Sequence, residues 1–487
     1  MISKDTINSP FLHHILRVGF GSVSAQLLTV ITLPLLTRLY MPSAYAGWAL
    51  LMSVVLIVAS VATLRYELAI VLPATHEEAA NVMAGCVGIS CAIALLASAF
   101  IPLGGTWLLG DSFYDELHSW LWSIPLLIVC IGIYQAVNAW CTRTQEFKWY
   151  SLSQAALPFM TIGCQILAAL WGMNTSSGLI LGTLLGQFFA ALLLLALIYS
   201  RYGSLIRGAV SQPRIRETLV KYKAYPLYMT PYTLVGTIRE RLVYFLFATY
   251  GERSSLGFYN ISSRVVNIPN SLVSSAVRPV FFQHAASTDF RLLEVPVLKA
   301  LRLLAACVIP FWIIFLFHAD ALFALFFGEP WREAGLYAMI LSVPAVPLLL
   351  SNWLDRAFDA LGRQRLAFAM EFVFSVLSVI ALASGVLFFK SVLIAISLQA
   401  GVLTVYYSYW LVALFHVARF RRGGLLKLLM TIAVLSTLST AFAGAIRSIA
   451  PALVSLAISS VVFSALVLAY LWRQWKTHNR SDGGNLA

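Results

Sequence analysis

Sixty per cent of the 487 residues are apolar, only 11% are charged, and the formal net charge is +13. A soluble domain is about a quarter charged, and its apolar residues are divided among the buried faces of helices and strands. Here they form runs of about twenty, the length of a membrane-spanning helix. These numbers exclude a soluble enzyme, a secreted disulfide scaffold and a disordered chain.

The apolar runs predict an all-α polytopic membrane protein with about fourteen transmembrane helices. Polar residues interrupt the seventh and the eighth of them. In chain order the predicted spans are 15–36, 44–64, 80–102, 119–141, 152–171, 178–199, 226–249, 257–282, 299–318, 335–353, 367–387, 392–413, 428–446 and 451–472.

The distribution of Lys and Arg predicts the topology. With the N-terminus placed inside, 25 of the 33 cations fall on the inner side, five on the outer side and three within spans. Because cytoplasmic loops of membrane proteins are enriched in Lys and Arg, this bias indicates that both termini are cytoplasmic. Most of the net charge therefore reflects orientation and not a bound ligand.

The sequence contains a weak internal repeat with a spacing of about 210–219 residues. Tyr40 with Gly47-Trp48 is echoed by Tyr250 with Gly257-Phe258, and Asn138 before Trp140 is echoed by Asn352 before Trp353. Six predicted spans separate the copies, so both have the same orientation. Either the echoes are chance similarity between apolar helices, or the chain holds two parallel six-helix lobes, as in some transporters.

The regions outside the spans offer no catalytic site. The longest predicted outer loops, 103–118 and 319–334, are too short to form a folded domain, and there is no phosphate-binding loop or dinucleotide fingerprint. The six cysteines lie in or beside apolar runs, with no His at ligand spacing. We therefore predict no enzyme, no cofactor and no metal site.

Ionisable residues inside spans usually face a cavity and serve function. Arg239, Glu240 and Arg241 lie in the seventh predicted span, and Arg264 and Asn260 in the eighth. Counted from the span ends at about 1.5 Å per residue, Arg241 and Arg264 lie roughly 10–12 Å below the outer edge. Two readings stay open here, a structural Arg–Glu pair joining two helices or a cationic patch in a water-filled lumen that suits phosphate.

The orientation of the two neighbouring arginines and the roles of polar residues in other spans also stay open. Arg239 and Arg241 are about 200° apart around a regular helix, so either only one of them faces a given cavity or the helix is broken, which Pro226, Pro231 and Gly236 would favour. In the first span, Arg17 and Gln26 accompany small residues, which fits either lumen lining or close helix packing. Asn138 in the fourth span is a further lumen candidate.

Six segments of the sequence together form a recognisable pattern. They are Leu33-Pro-Leu-Leu-Thr-Arg-Leu-Tyr40, Arg65-Tyr-Glu-Leu-Ala-Ile-Val-Leu-Pro73, Glu77-Glu-Ala-Ala-Asn81, Arg264-Val-Val-Asn-Ile-Pro269, Phe327-Gly-Glu-Pro-Trp-Arg-Glu-Ala-Gly335 and Leu361-Gly-Arg-Gln-Arg365. These segments resemble those of bacterial polysaccharide-biosynthesis flippases, the lipid-linked oligosaccharide translocases, including O-antigen flippases, of the multidrug/oligosaccharidyl-lipid/polysaccharide exporter superfamily. The resemblance extends from the first to about the eleventh span.

The resemblance implies a fold and an activity. Two six-helix lobes, 1–225 and 226–424, would enclose a central cavity, and 425–487 would add two helices and a cytoplasmic tail. The activity would be translocation of polyprenyl-pyrophosphate-linked oligosaccharides across the bacterial inner membrane by alternating access, for surface or exo-polysaccharide synthesis. A proton or sodium gradient or the membrane potential would drive it, and a polysaccharide polymerase is an expected partner.

The resemblance also bears on individual residues. It places a basic lumen at Arg239, Arg241 and Arg264, and it includes Arg65 and Glu67, where a gate and a topological role are both open. The main alternative is a drug or organic-cation antiporter of the same superfamily. Such a lumen should carry acids, whereas the charges inside the spans here are mainly Arg.

Overall fold

The computed structural model describes residues 10–101, 111–250, 253–287, 290–355 and 357–449, and parts of 451–467. Within these residues all regular elements are helical. The sixteen α-helices are α1 (Pro10–Leu39), α2 (Pro42–Ala59), α3 (His76–Phe100), α4 (Asp111–Leu117), α5 (Ser123–Arg143), α6 (Phe147–Leu170), α7 (Ser176–Ala209), α8 (Gln212–Lys221), α9 (Thr230–Tyr250), α10 (Arg253–Ser287), α11 (Glu294–Phe327), α12 (Ala334–Asn352), α13 (Ala357–Ala360), α14 (Gln364–Leu387), α15 (Val392–Val417) and α16 (Arg422–Ile449).

Thirteen of the fourteen predicted spans coincide with observed helices. In the described chain, ten helices are long and apolar enough to cross a membrane, and Ser24–Leu39 is a shorter apolar helix. The helices α9 and α10 match the two spans that polar residues interrupt, and they are not among the ten. The last predicted span, 451–472, is described only in part, and 457–465 within it is helical.

The observed ends of two helices differ from the predicted ones, because hydropathy alone does not determine where these helices end. Helix α2 ends at Ala59, five residues before the predicted end, and Leu64 and Arg65 then adopt left-handed backbone angles with φ of 48° and 62°. Helix α7 continues to Ala209, ten residues past its apolar run. A hydropathy window cannot detect that extension, because the added turns are polar and basic.

Two compact units divide the chain, and neither follows the predicted lobe boundaries at 225 and 424. The first contains residues 1–261 and 382–395, and the second contains 262–381 and 396–487. The predicted lobes therefore stay a prediction. The boundaries between the units fall within α10, α14 and α15.

The first unit is built on close contacts of α6 with α1 and α7. Glycines allow α6 and α7 to approach: a Cβ placed on Gly186 would lie 2.4 Å from the Thr161 Cα atom, and one on Gly182 would lie 2.6 Å from the backbone nitrogen of Gln165. Small residues at helix contacts are the usual device for packing helices in lipid. At the same contact, Trp48 of α2 donates a hydrogen bond to Thr183 of α7, with a nitrogen–oxygen distance of 2.8 Å.

In the second unit, α11 packs against α12 and α16. The core of this unit contains Leu301, Ile309, Leu350 and Trp410. The side chain of Asn352 donates to Asn270 and Ser274 of α10, at 3.1 and 3.0 Å. These bonds join the end of α12 to α10 by polar contacts.

Candidate functional site

The three predicted lumen cations lie on two helices. Arg239 and Arg241 are half-buried on α9, where Glu240 between them is exposed. Arg264 is exposed on α10 and belongs to the second compact unit, whereas α9 belongs to the first. The pairing of Arg241 with Arg264 at one depth therefore stays a prediction.

Arg241 lies near the middle of α9 and is held by an aromatic ring. Its guanidinium carbon is 5.7 Å from the centre of the Tyr244 ring, a distance at which the ring attracts a cation. The Nε atom of Arg241 is buried and has no hydrogen-bond partner in the part of the chain that the structure describes. Burying a charged donor without a hydrogen-bond partner costs free energy. Binding of an anionic acceptor at this atom would therefore be favourable.

Tyr244 also brings a second predicted site residue to Arg241. Asn260, at 4% exposure, donates a hydrogen bond from Nδ2 to the Tyr244 hydroxyl at 3.3 Å. The Tyr259 ring packs edge-on against Tyr244 and Phe247, with centroids 5.7 and 5.4 Å away. Aromatic packing therefore fixes the first turns of α10 against α9 and holds Arg241, Tyr244 and Asn260 together.

The remaining predicted site residues are separate from this cluster. Gln26 is half-buried on α1, and the side chain of Arg17 lies outside the described part of the structure. Asn138 is buried on α5, where its Oδ1 atom accepts a hydrogen bond from Ser153 of α6 at 3.0 Å. The described contacts of Asn138 are thus those of helix packing.

A second polar cluster lies in the turn after α2. The carboxylate of Glu67, at 6% exposure, accepts hydrogen bonds from Thr63 and from the Arg65 guanidinium, the latter at 3.0 Å. The Arg65 Nε atom also donates to the Thr233 hydroxyl of α9 at 3.0 Å. A buried carboxylate is stable only when paired and hydrogen-bonded in this way, and the arginine links the turn to α9.

Sequence reasoning identified Arg65 and Glu67 but left their role open, and it missed Thr233. A charged pair directly after an apolar run is visible in sequence, whereas Thr233 is 168 residues from Arg65. The left-handed φ of Arg65 carries no sequence signal either, because glycine is the residue that usually adopts it. The contact depends on tertiary structure alone.

The neighbouring Tyr66 anchors the same turn to α8. Its hydroxyl donates to the backbone oxygen of Leu219 at 2.9 Å. Burial raises the pKa of the Tyr66 phenol above its ordinary value, so the hydroxyl stays a neutral donor at neutral pH. The turn at 63–69 is thus joined to both α8 and α9.

The sequence profile of a family described as polysaccharide biosynthesis protein matches residues 35–336. This match covers more than half of the chain. The chain belongs to this family. No curated protein sequence matches the chain at a significant level.

Solved structures of transporters share the fold of this chain. The lipid II flippase MurJ in an inward closed conformation superimposes with a TM-score of 0.72 at 12% identity, over 95% of this chain and 99% of MurJ. An inward-facing multidrug MATE transporter gives 0.62 at 14% identity, over 82% of this chain and 99% of that one. VcmN, a MATE transporter of Vibrio cholerae, gives 0.51 at 13% identity, over 85% and 97%.

Family and fold together confirm the broad predictions. The chain belongs to the polysaccharide biosynthesis family, and its all-α fold is the one that the MurJ flippase and MATE transporters share. Ten of its described helices are long and apolar enough to cross a membrane, as expected of a multi-pass membrane protein. Structural similarity at 12–14% sequence identity establishes a shared fold but does not identify the substrate. The substrate must therefore be argued from the chemistry of the site.

Proposed function

We propose that this protein moves a polyprenyl-pyrophosphate-linked oligosaccharide across the bacterial inner membrane by alternating access, for surface or exo-polysaccharide synthesis. The observation that carries the proposal is the buried, unpartnered Nε atom of Arg241 beside Tyr244. Membership of the polysaccharide biosynthesis family supports a saccharide substrate. Arginine suits the pyrophosphate group, because its planar fork of donors stays charged in a dry site.

The sugars and the lipid tail have separate requirements. Polar side chains such as Asn260 and the Tyr244 hydroxyl offer hydrogen bonds to sugar hydroxyls, while the polyprenyl chain stays in the bilayer. Arg239 and Arg264 are further cations for the pyrophosphate at other stages of the cycle. An ion gradient or the membrane potential drives transport, and a polysaccharide polymerase receives the product on the outer side.

Substitution of Arg241 tests the site. In cells that lack the chromosomal gene and express variants at equal levels, Arg241→Gln should reduce translocation of the lipid-linked oligosaccharide about ten-fold or more. The reason is that a charge-assisted hydrogen bond contributes about 1.5–3 kcal/mol, and about 1.4 kcal/mol is a factor of ten. The measurement is the fraction of lipid-linked sugar accessible to an impermeant reagent on the outer face of spheroplasts.

The matched control is Arg201→Gln. Arg201 is a cation of the same unit, but its side chain is 62% exposed and it pairs with Glu146 at 3.1 Å. This control should transport at the wild-type rate. Wild-type translocation by Arg241→Gln would refute the site, and export of cationic dyes in place of lipid-linked sugar would favour the antiporter.

A further inference from the structure

A cleft beside α8 is independent of the Arg241 cluster. It lies between α8 and the turn that contains Tyr66, is open on one side, and has a volume of about 460 Å³. Its lining combines cationic, aromatic and aliphatic side chains, and no acidic residue contributes. The lining includes Tyr66, Ile215, Arg216, Leu219, Val220 and Lys223.

The wall that α8 forms is held firmly to the first unit. Thr218 is buried, and the Leu219 side chain packs on α3 so closely that a Cβ on Gly85 would lie 2.9 Å from it. The Tyr66 hydroxyl holds the backbone of the same turn. Since α8 is fixed on one side, the residues of its other side are presented in a constant arrangement.

The cations of α8 and its C-terminal neighbours fall into two groups. Lys221 pairs with Glu78 at 2.6 Å, and Arg214 lies 4.0 Å from Glu77. The side chains of Arg216 and Lys223, which line the cleft, form no ion pair or hydrogen bond with any residue that the structure describes. The two cleft cations are therefore available for an anionic ligand.

The apolar surroundings decide what kind of anion fits. Val220 in the cleft is 58% exposed, and the π-helical turn that follows exposes Leu227 and Tyr228 at 61% and 71%. A soluble anion gains nothing from such a surface, whereas an acyl chain is stabilised by it. Val220 is one helical turn from Arg216 and on the same side of α8, so a cation and an exposed aliphatic side chain are presented together, as residues at a membrane interface often are.

We propose that this cleft binds the phosphate headgroup of an anionic bilayer phospholipid. Arg216 and Lys223 hold the phosphate, and Val220 with the apolar residues that follow contacts the upper part of an acyl chain. The site differs from general attraction of a basic face to anionic lipid, because it depends on two cations and not on their total number. The inference does not rest on the proposed substrate or on Arg241.

Lipid binding to the purified full-length protein tests the proposal. Native mass spectrometry of delipidated protein should show phosphatidylglycerol binding more tightly than phosphatidylcholine with the same acyl chains. Arg216→Gln combined with Lys223→Gln should weaken phosphatidylglycerol binding about ten- to thirty-fold, since a surface cation contributes about a five-fold gain for an anionic lipid. Val220→Glu, which leaves both cations in place, should also weaken it.

The matched control is Arg207→Gln combined with Arg214→Gln. It removes the same charge from neighbouring positions that do not line the cleft, and binding should stay within about two-fold of wild type. Equal losses in the two double variants would reduce the effect to total charge and overturn the proposal, as would no loss in the cleft variant. Thermal unfolding of each variant checks that it is folded.

Competition distinguishes the sources of phosphate. Inorganic phosphate at millimolar concentration should leave bound phosphatidylglycerol in place, and displacement would identify a soluble anion as the ligand. Polyprenyl pyrophosphate should not displace the phospholipid at equimolar concentration. Displacement that is lost in the cleft variant would make this a loading site for the transport substrate and would overturn the assignment to a bilayer lipid.

Discussion

At the scale of single residues, the buried carboxylate of Glu67 depends on the residues around it. The bonds from Thr63 and Arg65 offset the loss of water. The same guanidinium reaches Thr233, so it joins the turn after α2 to α9, the helix that carries Arg241. One arginine thus connects a polar cluster at a helix end with the element that positions the candidate site.

The contribution of this bond can be isolated with two threonines of α9. The Thr233 hydroxyl donates to the backbone oxygen of Met229 at 2.9 Å and also accepts from Arg65. The Thr249 hydroxyl donates to Phe245 at 3.0 Å in the same i to i−4 pattern, and no other bond to it is found among the described residues. Valine at either position keeps the shape and removes the hydroxyl.

We expect Thr233→Val to lower the apparent unfolding temperature in detergent, whereas Thr249→Val should leave it nearly unchanged. The difference reports the bond to Arg65, which should contribute about 1.5 kcal/mol or more because the donor is charged. Thermal unfolding followed by circular dichroism measures both variants. Equal effects of the two substitutions would mean that the link from Arg65 to α9 contributes nothing.

At the scale of elements, the contact between α6 and α7 depends on glycine. A Cβ on Gly186 would be 2.4 Å from a backbone atom of α6, whereas a Cβ on Gly163 would meet nothing within 4 Å. Both glycines lie inside helices of the same pair. They therefore separate the effect of packing from the effect of helix propensity.

Alanine at the two positions should have opposite effects. Gly186→Ala forces the helices apart and should cost about 1–3 kcal/mol, the range for an overpacked contact. Gly163→Ala gains helix propensity, worth up to about 1 kcal/mol, without a clash. Unfolding temperatures in one detergent compare them, and a Gly186→Ala protein as stable as Gly163→Ala would contradict the close approach of α6 and α7.

At the scale of the whole molecule, the sequence was sufficient for most of the fold. Apolar runs located thirteen of the observed helices, because a segment in lipid must satisfy its own backbone hydrogen bonds and only a helix does so within one segment. This rule holds only in the apolar core of the membrane. Helix ends outside that core are set by other contacts, so the polar extension of α7 to Ala209 and the early end of α2 were not predicted.

The candidate site was only partly accessible from sequence. Arg241 and Asn260 are conspicuous because polar residues are rare in spans, and the structure brings them together through Tyr244. Tyr244 and Thr233 were missed, since an aromatic residue or a threonine is ordinary in a membrane helix. Tertiary contacts therefore supplied the partners of residues that the sequence had already marked.

The predicted orientation of the molecule rests on the length of α7 and on the distribution of cations, and one experiment can test both. Helix α7 has 34 residues and is about 50 Å long, more than the roughly 30 Å of a hydrocarbon core. Since α7 is also apolar enough to span, we expect the exposed residues Asn174 and Arg214, which flank it, to lie on opposite sides of the membrane. Which side is cytoplasmic is predicted by the cations alone, since 25 of the 33 are assigned to the inner side.

We expect an impermeant maleimide to label Asn174→Cys in intact spheroplasts and to label Arg214→Cys only after lysis. Both substitutions are made in a chain whose six native cysteines are replaced by alanine or serine, with retained transport as the control for folding. The reverse pattern would invert the topology and place α8 and its cleft on the outer face, away from the anionic cytoplasmic leaflet. Labelling of both positions in intact spheroplasts would mean that α7 does not cross the membrane, because its two ends can share one side only if it lies outside the hydrocarbon core.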